Sequence, residues 1–382
     1  MTNNPGPNQD LIGVDGGRWL LNTPALVLDL DAVEKNIQAM AAHCQGTGQQ
    51  LRPHGKSHKC VTLARRQIEA GAVGICCATL REAETMVGAG LPGVLITSPT
   101  TTAAKISRLM TLHGATEELM VVSDSAVNVD DLAAAAAATG ISRPLKVLVD
   151  FDVGLHRTGV ASDEDVAALA RRIADTDSLS FAGVQAYAGH LQHVEDYQAR
   201  AAAMAEQARR LSEAVDRLNQ LGLKPGLVTG GGTGTHDIDH RDGVLGELQA
   251  GSYLFTDVQY NAVNLRRDST TPFAPSLFVH GAVINNNHAG HAIIDAGLKS
   301  FATDGPLPEF AAGAPPGATY QFYGDEHGAV VFAKPGETLA VGHQVACVIP
   351  HCDPTVNLYD VYHCVRGDTL VEIWPIDARG NP

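Results

Sequence analysis

The sequence lacks both a long apolar run and a run of basic residues. A membrane-spanning helix needs about 20 consecutive apolar residues, and the longest alanine tract, within residues 131–140, falls short of that length. The 382 residues carry a formal net charge of −15, which repels nucleic-acid phosphates and anionic membrane surfaces. We therefore expect neither a nucleic-acid partner nor a membrane partner.

Signals for secretion and for disulfide bonds are also missing. The N-terminus has no basic start followed by an apolar stretch, so no signal peptide is expected. Seven cysteines are an odd number without regular spacing, and the adjacent Cys76 and Cys77 are more typical of a buried strand than of a bridge. These features predict free thiols and a cytoplasmic location.

From about residue 24 to residue 265 the chain alternates short apolar runs with helical stretches rich in Ala, Leu, Glu and Arg. Such alternation predicts an α/β fold whose parallel strands are covered on both faces. Polar residues stand at the ends of several successive strands, which is where a barrel carries its functional site. We therefore favour a (β/α)8 TIM-type barrel over a doubly wound open sheet.

Beyond residue 265 the long helical patterns end, and short apolar strands are separated by turns rich in Gly, Pro, Asn and Asp. This pattern predicts a mainly antiparallel β domain. We expect the barrel to comprise residues 24–265 and the β domain to comprise residues 1–23 and 266–382.

The stretch RPHGKSHKC, residues 52–60, places two lysines at the end of an expected barrel strand. Lys56 follows Gly55 in extended chain, whereas Lys59 precedes a helical run and is expected to begin it. The two could form a solvated basic patch, but a lysine at the carboxyl end of a buried strand is suited to Schiff-base chemistry. His54 and His58 would share the face of Lys56, and the sequence assigns them no role.

A glycine-rich stretch, TGGGTGTHD at residues 229–237, directly follows an apolar strand. Backbone N–H groups in such a loop can hold a phosphate, although a flexible loop is the simpler alternative. Its spacing matches neither a dinucleotide-binding motif nor a P-loop. Gly251 and Ser252 form a second turn, which is either a plain strand boundary or the other half of the phosphate site.

Two further stretches bring polar residues to strand ends. In QAYAGHLQH, residues 185–193, Gln185 and Tyr187 are two apart and therefore share a face. His190 and His193 follow in the loop, where histidines are either surface residues or part of a site. In DVGLHRTG, residues 152–159, His156 and Arg157 reach the same end of the barrel or form a surface turn.

The second domain contains His351, Cys352 and Asp353 in the stretch IPHCDPTVN. In extended chain His351 and Asp353 point the same way while Cys352 points away, so the first two can bind one ion. An imidazole and a carboxylate suit Mn²⁺, Mg²⁺ or Zn²⁺. Polar residues at the end of a strand are the alternative interpretation.

Taken together, the motifs RPHGKSHK, QAYAGHLQH, TGGGTGT, ELQAGSY, DAGLKS, DEHG and HCDPTVNLYD resemble one branch of the fold-type III pyridoxal-phosphate enzymes. This branch contains D-threonine aldolase and 3-hydroxy-D-aspartate aldolase, and it is related to alanine racemase and eukaryotic-type D-serine dehydratase. The resemblance extends over nearly the whole chain. It implies an aldolase that cleaves D-3-hydroxy amino acids, converting D-threonine to glycine and acetaldehyde.

The resemblance also implies roles for individual residues. Lys56 would bind pyridoxal 5′-phosphate covalently, and His193 would be a candidate base beside a divalent cation, with Mn²⁺ expected ahead of Mg²⁺ or Zn²⁺. His351 and Asp353 would bind that cation. The other cofactor contacts would be Arg157, Gln185, Tyr187, Thr229, Gly230, Gly231, Gly232, Thr233, Gly251, Ser252 and Tyr253.

A homodimer is expected by the same resemblance, with Asp325, Glu326 and His327 approaching the partner's site. Burial and neighbouring cationic side chains are expected to lower the pKa of Lys56. Within the resemblance, dehydratases carry His-x-Cys where this chain has His-x-Asp, which favours aldol cleavage.

Three alternatives stay open after the sequence is read. They are a 3-hydroxy-D-aspartate aldolase that releases glyoxylate, a dehydratase of D-serine or D-3-hydroxyaspartate, and a pyridoxal-phosphate carrier without catalysis. One departure from the family pattern is Ala78-Thr79, where relatives carry Gln-Lys.

Overall fold

The computed structural model describes residues 7–380, so the first six residues of the expected segment 1–23 lie outside it. Within the described residues the strands are β1 (Ala25–Asp29), β2 (Gln50–Leu51), β3 (Ile75–Cys77), β4 (Val94–Ile96), β5 (Met120–Ser123), β6 (Leu145–Asp150), β7 (Leu179–Ala186), β8 (Leu227–Gly230), β9 (Glu247–Leu248), β10 (Leu277–Asn285), β11 (His291–Ile294), β12 (Glu309–Ala312), β13 (Thr319–Phe322), β14 (Gly328–Val331), β15 (Gln344–Val348), β16 (Val361–Arg366) and β17 (Thr369–Pro375).

Over the same residues the α-helices are α1 (Leu30–Thr47), α2 (Val61–Glu69), α3 (Leu80–Gly88), α4 (Ala103–Ala115), α5 (Ala126–Ala138), α6 (Asp163–Ala174), α7 (Tyr197–Gln220), α8 (His236–Asp239), α9 (Val258–Asn261) and α10 (Cys352–Val356). Short 3-10 turns lie at Gln9–Leu11, Gly17–Leu20, Gly55–Ser57, Gly189–Leu191, Ser252–Leu254 and Leu298–Ser300.

Eight parallel strands form the first sheet, in the order β2-β9-β8-β7-β6-β5-β4-β3. A parallel bridge between His54 and Cys76 joins the two ends of this order, and the Cys76 N–H donates to the Pro53 carbonyl at 2.9 Å. The strands alternate with helices that cover their outer face, so the predicted (β/α)8 TIM-type barrel is confirmed.

The second sheet has nine strands and is mostly antiparallel. Its main path runs β13-β14-β11-β10-β1-β16-β17, with β15 beside β10 and β12 beside β15. The predicted β domain after the barrel is thereby confirmed. Where the chain should be divided into domains stays a prediction.

The first strand was predicted incorrectly. The apolar run that begins at Ala25 was counted with the barrel, but β1 pairs antiparallel with β10 and parallel with β16 in the second sheet. A fully buried apolar strand carries no alternation that would show which sheet it joins. Pairing with strands about 250 and 335 positions away along the chain decides its place.

Helix ends agree with the local sequence. Asp29, Thr79 and Ser162 each precede a helix, and each side chain accepts a backbone N–H of the first turn. Helix α6 also has acidic residues in its first turn and arginines in its last, which complements the helix dipole. Within the pair Ala78-Thr79 noted in the sequence, Thr79 therefore caps α3.

The seven cysteines are free and buried. Among residues 7–380, no helix is both long enough and apolar enough to cross a membrane.

Candidate active site

A cavity of about 240 Å³ opens at the carboxyl ends of the barrel strands, between the barrel and the second sheet. Most of its lining residues have polar side chains, and several of these can carry charge. The lining residues are His54, Lys56, Thr97, Leu155, Arg157, Gln185, Tyr187, Gly189, His193, Gly232, Thr233, Gln249, Gly251, Ser252, Tyr260, His351 and Asp353.

Lys56 enters this cavity from the 3-10 turn Gly55–Ser57, not from extended chain as predicted. Its Nζ lies 3.6 Å from Asp353 Oδ1, and the side chain is 39% exposed. The neighbouring Asp353 carboxylate raises the pKa of Lys56, and this effect outweighs the lowering of the pKa by burial. The expectation of a lowered pKa was therefore wrong, because the sequence did not show that a carboxylate would face this amine.

Lys59 lies outside the cavity. Its Nζ donates to Asn357 Oδ1 at 2.9 Å and is 3.7 Å from Glu82 Oε1. Its backbone is left-handed, with φ of 51°, and α2 begins only at Val61. Lys59 therefore does not begin the helix as predicted, because its left-handed backbone lies before the helix start.

The two histidines beside these lysines also separate. His54 lines the cavity, and its Nε2 lies 3.1 Å from Thr97 Oγ1. Burial lowers the pKa of His54 well below its usual value. His58 is fully buried in the protein interior, where its Nδ1 accepts the Cys60 N–H at 3.1 Å and burial lowers its pKa to about 4.

The segment that carries His351 and Asp353 is helical from Cys352 to Val356, so the prediction of extended chain was wrong. The two side chains nevertheless meet, because His351 directly precedes this short helix. His351 Nε2 lies 3.6 Å from Asp353 Oδ2, and its Nδ1 is 2.8 Å from Asp304 Oδ2. Cys352 is buried in the core.

His351 and Asp353 each stabilise the charged form of the other. Burial opposes protonation of His351, but hydrogen bonds to Asp353 and Asp304 raise its pKa to about 9. Burial would raise the pKa of Asp353, yet Lys56 and His351 hold it below its usual range. Asp353 Oδ1 is buried and has no hydrogen-bond partner in the described chain.

A carboxylate oxygen that accepts no hydrogen bond, beside an imidazole, fits a divalent cation that takes its remaining ligands from water or substrate. Within residues 7–380, no group of three or more His, Cys, Asp or Glu side chains is arranged to hold a metal ion by itself. A cation at this place would therefore keep open coordination positions, as catalytic metal sites do.

Gln185 and Tyr187 reach the cavity from the end of β7. Gln185 Nε2 donates to Asp150 Oδ1 at 2.9 Å and to the Thr97 carbonyl at 3.1 Å, which fixes its amide in the cavity floor. The Arg157 guanidinium lies 5.9 Å from the centre of the Tyr187 ring. Burial raises the pKa of Tyr187.

His193 also lines the cavity, and its ring centre is 4.5 Å from that of Tyr260. Burial and then the positive charge of His351 lower its pKa, so the neutral imidazole prevails at neutral pH. His190 is not among the lining residues.

Only some of the phosphate-binding and cofactor-binding residues expected in the glycine-rich stretch and in the second turn line the cavity. Gly232, Thr233, Gly251 and Ser252 line the cavity, whereas Thr229, Gly230, Gly231 and Tyr253 do not.

The side chains that stay out of the cavity have partners elsewhere. Thr229 Oγ1 donates to Glu247 Oε1 at 2.8 Å inside the barrel. The Tyr253 side chain is fully buried, and its hydroxyl accepts from Gln67 Nε2 at 2.9 Å. The family resemblance implied cofactor contacts for both residues, but their side chains point into the core.

The sequence analysis did not identify Thr97, Gln249, Tyr260 or Asp304. Thr97 and Gln249 are the first residues after β4 and β9, so a systematic reading of strand ends would have found them. Tyr260 and Asp304 have no local signal, because they reach the site through long-range packing.

A lysine amine, a glycine and hydroxyl-rich cradle and a buried carboxylate therefore share one cavity. This donor set fits a cofactor that carries a phosphate and an aldehyde, and it fits a divalent cation beside it.

Comparison with known proteins agrees with this fit. The family model described as "Alanine racemase, N-terminal domain" matches residues 28–257, and a serine dehydratase domain matches residues 276–365. A D-threonine aldolase from Arthrobacter sp is 39% identical, with 94% of this chain and 93% of the relative covered. A 3-hydroxy-D-aspartate aldolase from Paracoccus denitrificans is 37% identical with the same coverage of each chain.

Among solved structures, the crystal structure of D-threonine aldolase from Filomicrobium marinum superposes with a TM-score of 0.90 at 37% identity, covering 95% of this chain and 96% of that one. The chain belongs to the alanine racemase N-terminal domain family, in the branch of fold-type III pyridoxal-phosphate enzymes that contains D-threonine aldolase and 3-hydroxy-D-aspartate aldolase.

Proposed function

We propose that this protein is a pyridoxal-phosphate- and divalent-metal-dependent aldolase that cleaves D-3-hydroxy amino acids, converting D-threonine to glycine and acetaldehyde. The observation that carries the proposal is the 3.6 Å approach of Lys56 Nζ to Asp353 Oδ1, which joins the amine and the candidate metal site in one cavity. The two aldolases that are 37–39% identical over nearly their whole length support it.

In this proposal Lys56 holds the cofactor covalently. Gly232, Thr233, Gly251 and Ser252 bind its phosphate, because small residues and hydroxyls at strand ends allow close approach of an anion. Gln185, Tyr187 and Arg157, which line the same cavity, would contact its ring. The sequence-based assignment of Thr229, Gly230, Gly231 and Tyr253 is kept only as support behind this cradle.

His351 and Asp353 bind the divalent cation, for which Mn²⁺ is the first choice and Mg²⁺ or Zn²⁺ the others. Asp304 Oδ2 accepts a hydrogen bond from the His351 Nδ1–H and so leaves Nε2 free to face the ion. A cation bound to Asp353 would offset the negative charge that raises the pKa of Lys56.

When bound, pyridoxal phosphate supplies a sink for the electron pair of the breaking Cα–Cβ bond, and the cation lowers the pKa of the β-hydroxyl. Lys56 Nζ would hold the cofactor through its aldehyde carbon and would be the amine that exchanges with the amino groups of substrate and product. A ring nitrogen of His193 accepts the β-hydroxyl proton. Since burial keeps His193 neutral at neutral pH, it is suited to act as a base.

Cleavage of 3-hydroxy-D-aspartate is the second candidate. Arg157 lines the cavity and would pair with a second substrate carboxylate. A dehydratase is less well supported, because the D-threo-3-hydroxyaspartate dehydratase from Delftia sp. is only 27% identical over 93% of this chain and 97% of the relative. A carrier without catalysis is not supported, since the aldolases match the second sheet as well as the barrel.

The decisive experiment compares products. Protein loaded with pyridoxal phosphate is given D-threonine or 3-hydroxy-D-aspartate with and without Mn²⁺, and aldehyde, keto acid and ammonia are measured. We expect acetaldehyde and glycine from D-threonine only with the metal. Keto acid and ammonia would show a dehydratase, and aldehyde release that survives thorough chelation would contradict the metal-dependent reaction.

We further propose a homodimer in the cytoplasm. Exposed apolar side chains on the second sheet and its connections, at Leu307, Tyr323 and Leu358, support association of two copies. Free buried thiols are consistent with a reducing compartment. Light scattering at several protein concentrations would measure the dimer, and a constant mass of 40.1 kDa would contradict it.

A further inference from the structure

Gln192 joins two loops of the cavity through one buried amide. Its Oε1 accepts the Gly234 N–H at 2.9 Å, and its Nε2 donates to Thr235 Oγ1 at 3.1 Å. The same Nε2 lies 3.3 Å from the Ala188 carbonyl, within its own loop. Gln192 directly precedes His193 in the chain, and its side chain is almost completely buried.

Close packing against Gln192 explains why Gly232 and Gly234 are glycines. A Cβ at Gly232 would collide with Gln192 Oε1, and a Cβ at Gly234 would collide with the Gln192 carbonyl. Two glycines of the glycine-rich stretch are therefore needed for packing against Gln192. Gly232 forms part of the cavity wall as well.

Asp239 anchors the other side of this stretch. Its Oδ2 accepts from Thr235 Oγ1 at 2.7 Å and from the Gly232 N–H at 3.3 Å. The Gln192 amide, the Thr235 hydroxyl and the Asp239 carboxylate therefore form one buried network. Each member is buried, so displacing one loop would leave polar groups without partners.

We propose that Gln192 is a positioning residue that fixes the loop bearing His193 to the Gly232–Thr233 cradle, so that anion binding in the cradle orders the candidate base. The inference rests on the proposed function, because the cradle must bind the cofactor phosphate. The coupling is physical: an anion that restrains Gly232 and Thr233 restrains Gly234 and Thr235, which hold the Gln192 amide.

The first test replaces the amide by an isosteric apolar side chain, Gln192→Met. Asn128→Leu is the matched control, since Asn128 is an equally buried amide in the same barrel whose Nδ2 donates to the Thr100 carbonyl at 2.7 Å outside the cavity. Cofactor-free protein is titrated with pyridoxal phosphate, and visible absorbance reports binding.

We expect Gln192→Met to raise the Kd for pyridoxal phosphate about tenfold and the control to change it less than about twofold, because two cross-loop hydrogen bonds are lost. In the loaded enzyme the kcat for D-threonine should fall as well. Equal Kd values for Gln192→Met and wild type, with Tm lowered as in the control, would overturn the inference and leave Gln192 a packing residue.

The second test needs no variant and so remains valid if Gln192→Met does not fold. Hydrogen exchange of cofactor-free wild-type protein is measured with and without inorganic phosphate, which occupies the cradle alone. We expect slower exchange in residues 189–195 together with residues 230–236. Protection confined to residues 230–236 would overturn the coupling.

Measurements on the wild-type protein distinguish failure of the proposed function from failure of the role proposed for Gln192. If it forms no visible complex with pyridoxal phosphate, the proposed function fails. If it binds the cofactor and cleaves D-threonine but the Gln192→Met variant binds equally well, only the role of Gln192 fails.

Discussion

Lys56 and Lys59 are three positions apart, yet their amines lie in different environments. Lys56 Nζ faces the cavity, 3.6 Å from Asp353 Oδ1. Lys59 Nζ donates to Asn357 Oδ1 and is close to Glu82, with only 12% of its side chain exposed. Only Lys56 has room for a covalent cofactor.

Replacement of Lys56 should therefore abolish cofactor binding, whereas replacement of Lys59 should not. We expect Lys56→Ala to abolish the visible absorbance of the bound cofactor and Lys59→Ala to retain it, because only Lys56 lines the cavity. Absorption spectra after removal of free cofactor measure this. Loss of the chromophore in Lys59→Ala alone would contradict the assignment.

Asp304 is a second residue whose role depends on one contact, the hydrogen bond with His351. Its Oδ2 is 2.8 Å from His351 Nδ1 and fixes the orientation of the ring. Partners of this kind raise metal affinity about 10- to 100-fold. No local sequence pattern indicated Asp304, because it is 47 positions from His351.

We expect Asp304→Asn to weaken Mn²⁺ binding by about tenfold or more and to leave cofactor absorbance unchanged. Titration of metal-free protein with Mn²⁺ measures the affinity. Asp216→Asn, on the exposed face of α7, is the control. An unchanged Mn²⁺ affinity in Asp304→Asn would show that Asp304 does not orient the ligand.

At the scale of elements, the two shortest barrel strands are joined by a buried ion pair. Arg52 follows β2, and its guanidinium makes two hydrogen bonds, of 2.8 and 3.0 Å, with the Glu247 carboxylate on β9. The side chains are 7% and 0% exposed. Arg52 also donates to the Gly93 carbonyl, so it ties three parts of the barrel together.

Removing one partner of this pair should be costly. We expect Arg52→Met to lower the free energy of unfolding by about 3–5 kcal/mol, because it leaves Glu247 buried without its counter-charge. The double variant Arg52→Met/Glu247→Leu should recover part of this loss. Urea unfolding measures both, and a loss below about 1 kcal/mol for the single variant would contradict the structural role of the pair.

How much the sequence predicts also differs between elements. The strand–helix alternation correctly indicated a barrel, because burial of both strand faces leaves a local pattern. It could not assign β1 to a sheet, since partners 250 or more positions away decide that. It also missed the helix at Cys352–Val356, whose five residues are too few to show a period.

At the scale of the molecule, the second sheet brings the candidate metal ligands to the barrel. The Cys352 N–H donates to Asp257 Oδ2 at 2.9 Å, and the Val258 N–H donates to the Ile349 carbonyl at 3.0 Å. These contacts hold the segment that contains His351 against the loop after β9. The site exists only when both parts of the chain are folded.

Buried histidines should make the whole molecule sensitive to acid. Burial lowers the pKa of His58 and His236 to about 4 and that of His280 to about 3. The usual histidine pKa of about 6.5 applies in the unfolded chain, which therefore binds more protons between pH 6.5 and 4. Their contribution to stability is complete above pH 6.5 and is lost as the pH falls.

For His58 alone this difference corresponds to about 3 kcal/mol. We expect His58→Gln to reduce the loss of unfolding free energy between about pH 6.5 and pH 4 by this amount, measured by urea unfolding across the range. Burial raises the pKa of Asp257 to about 6 and of Asp239 to about 7, which acts in the opposite direction. Both carboxyls titrate in wild type and variant, so the difference isolates His58. Parallel pH curves would contradict the prediction.

The sequence by itself determined the barrel, the antiparallel sheet after it and the stretches that supply Lys56, Gly232, His193 and His351, because periodicity, strand ends and residue chemistry are local properties. Tertiary structure decided which side chain in each stretch faces the cavity, which carboxylate lies beside Lys56, and that Asp304 accepts a hydrogen bond from His351. Charge and burial at a side chain come from residues far away along the chain, so only the folded molecule contains that information.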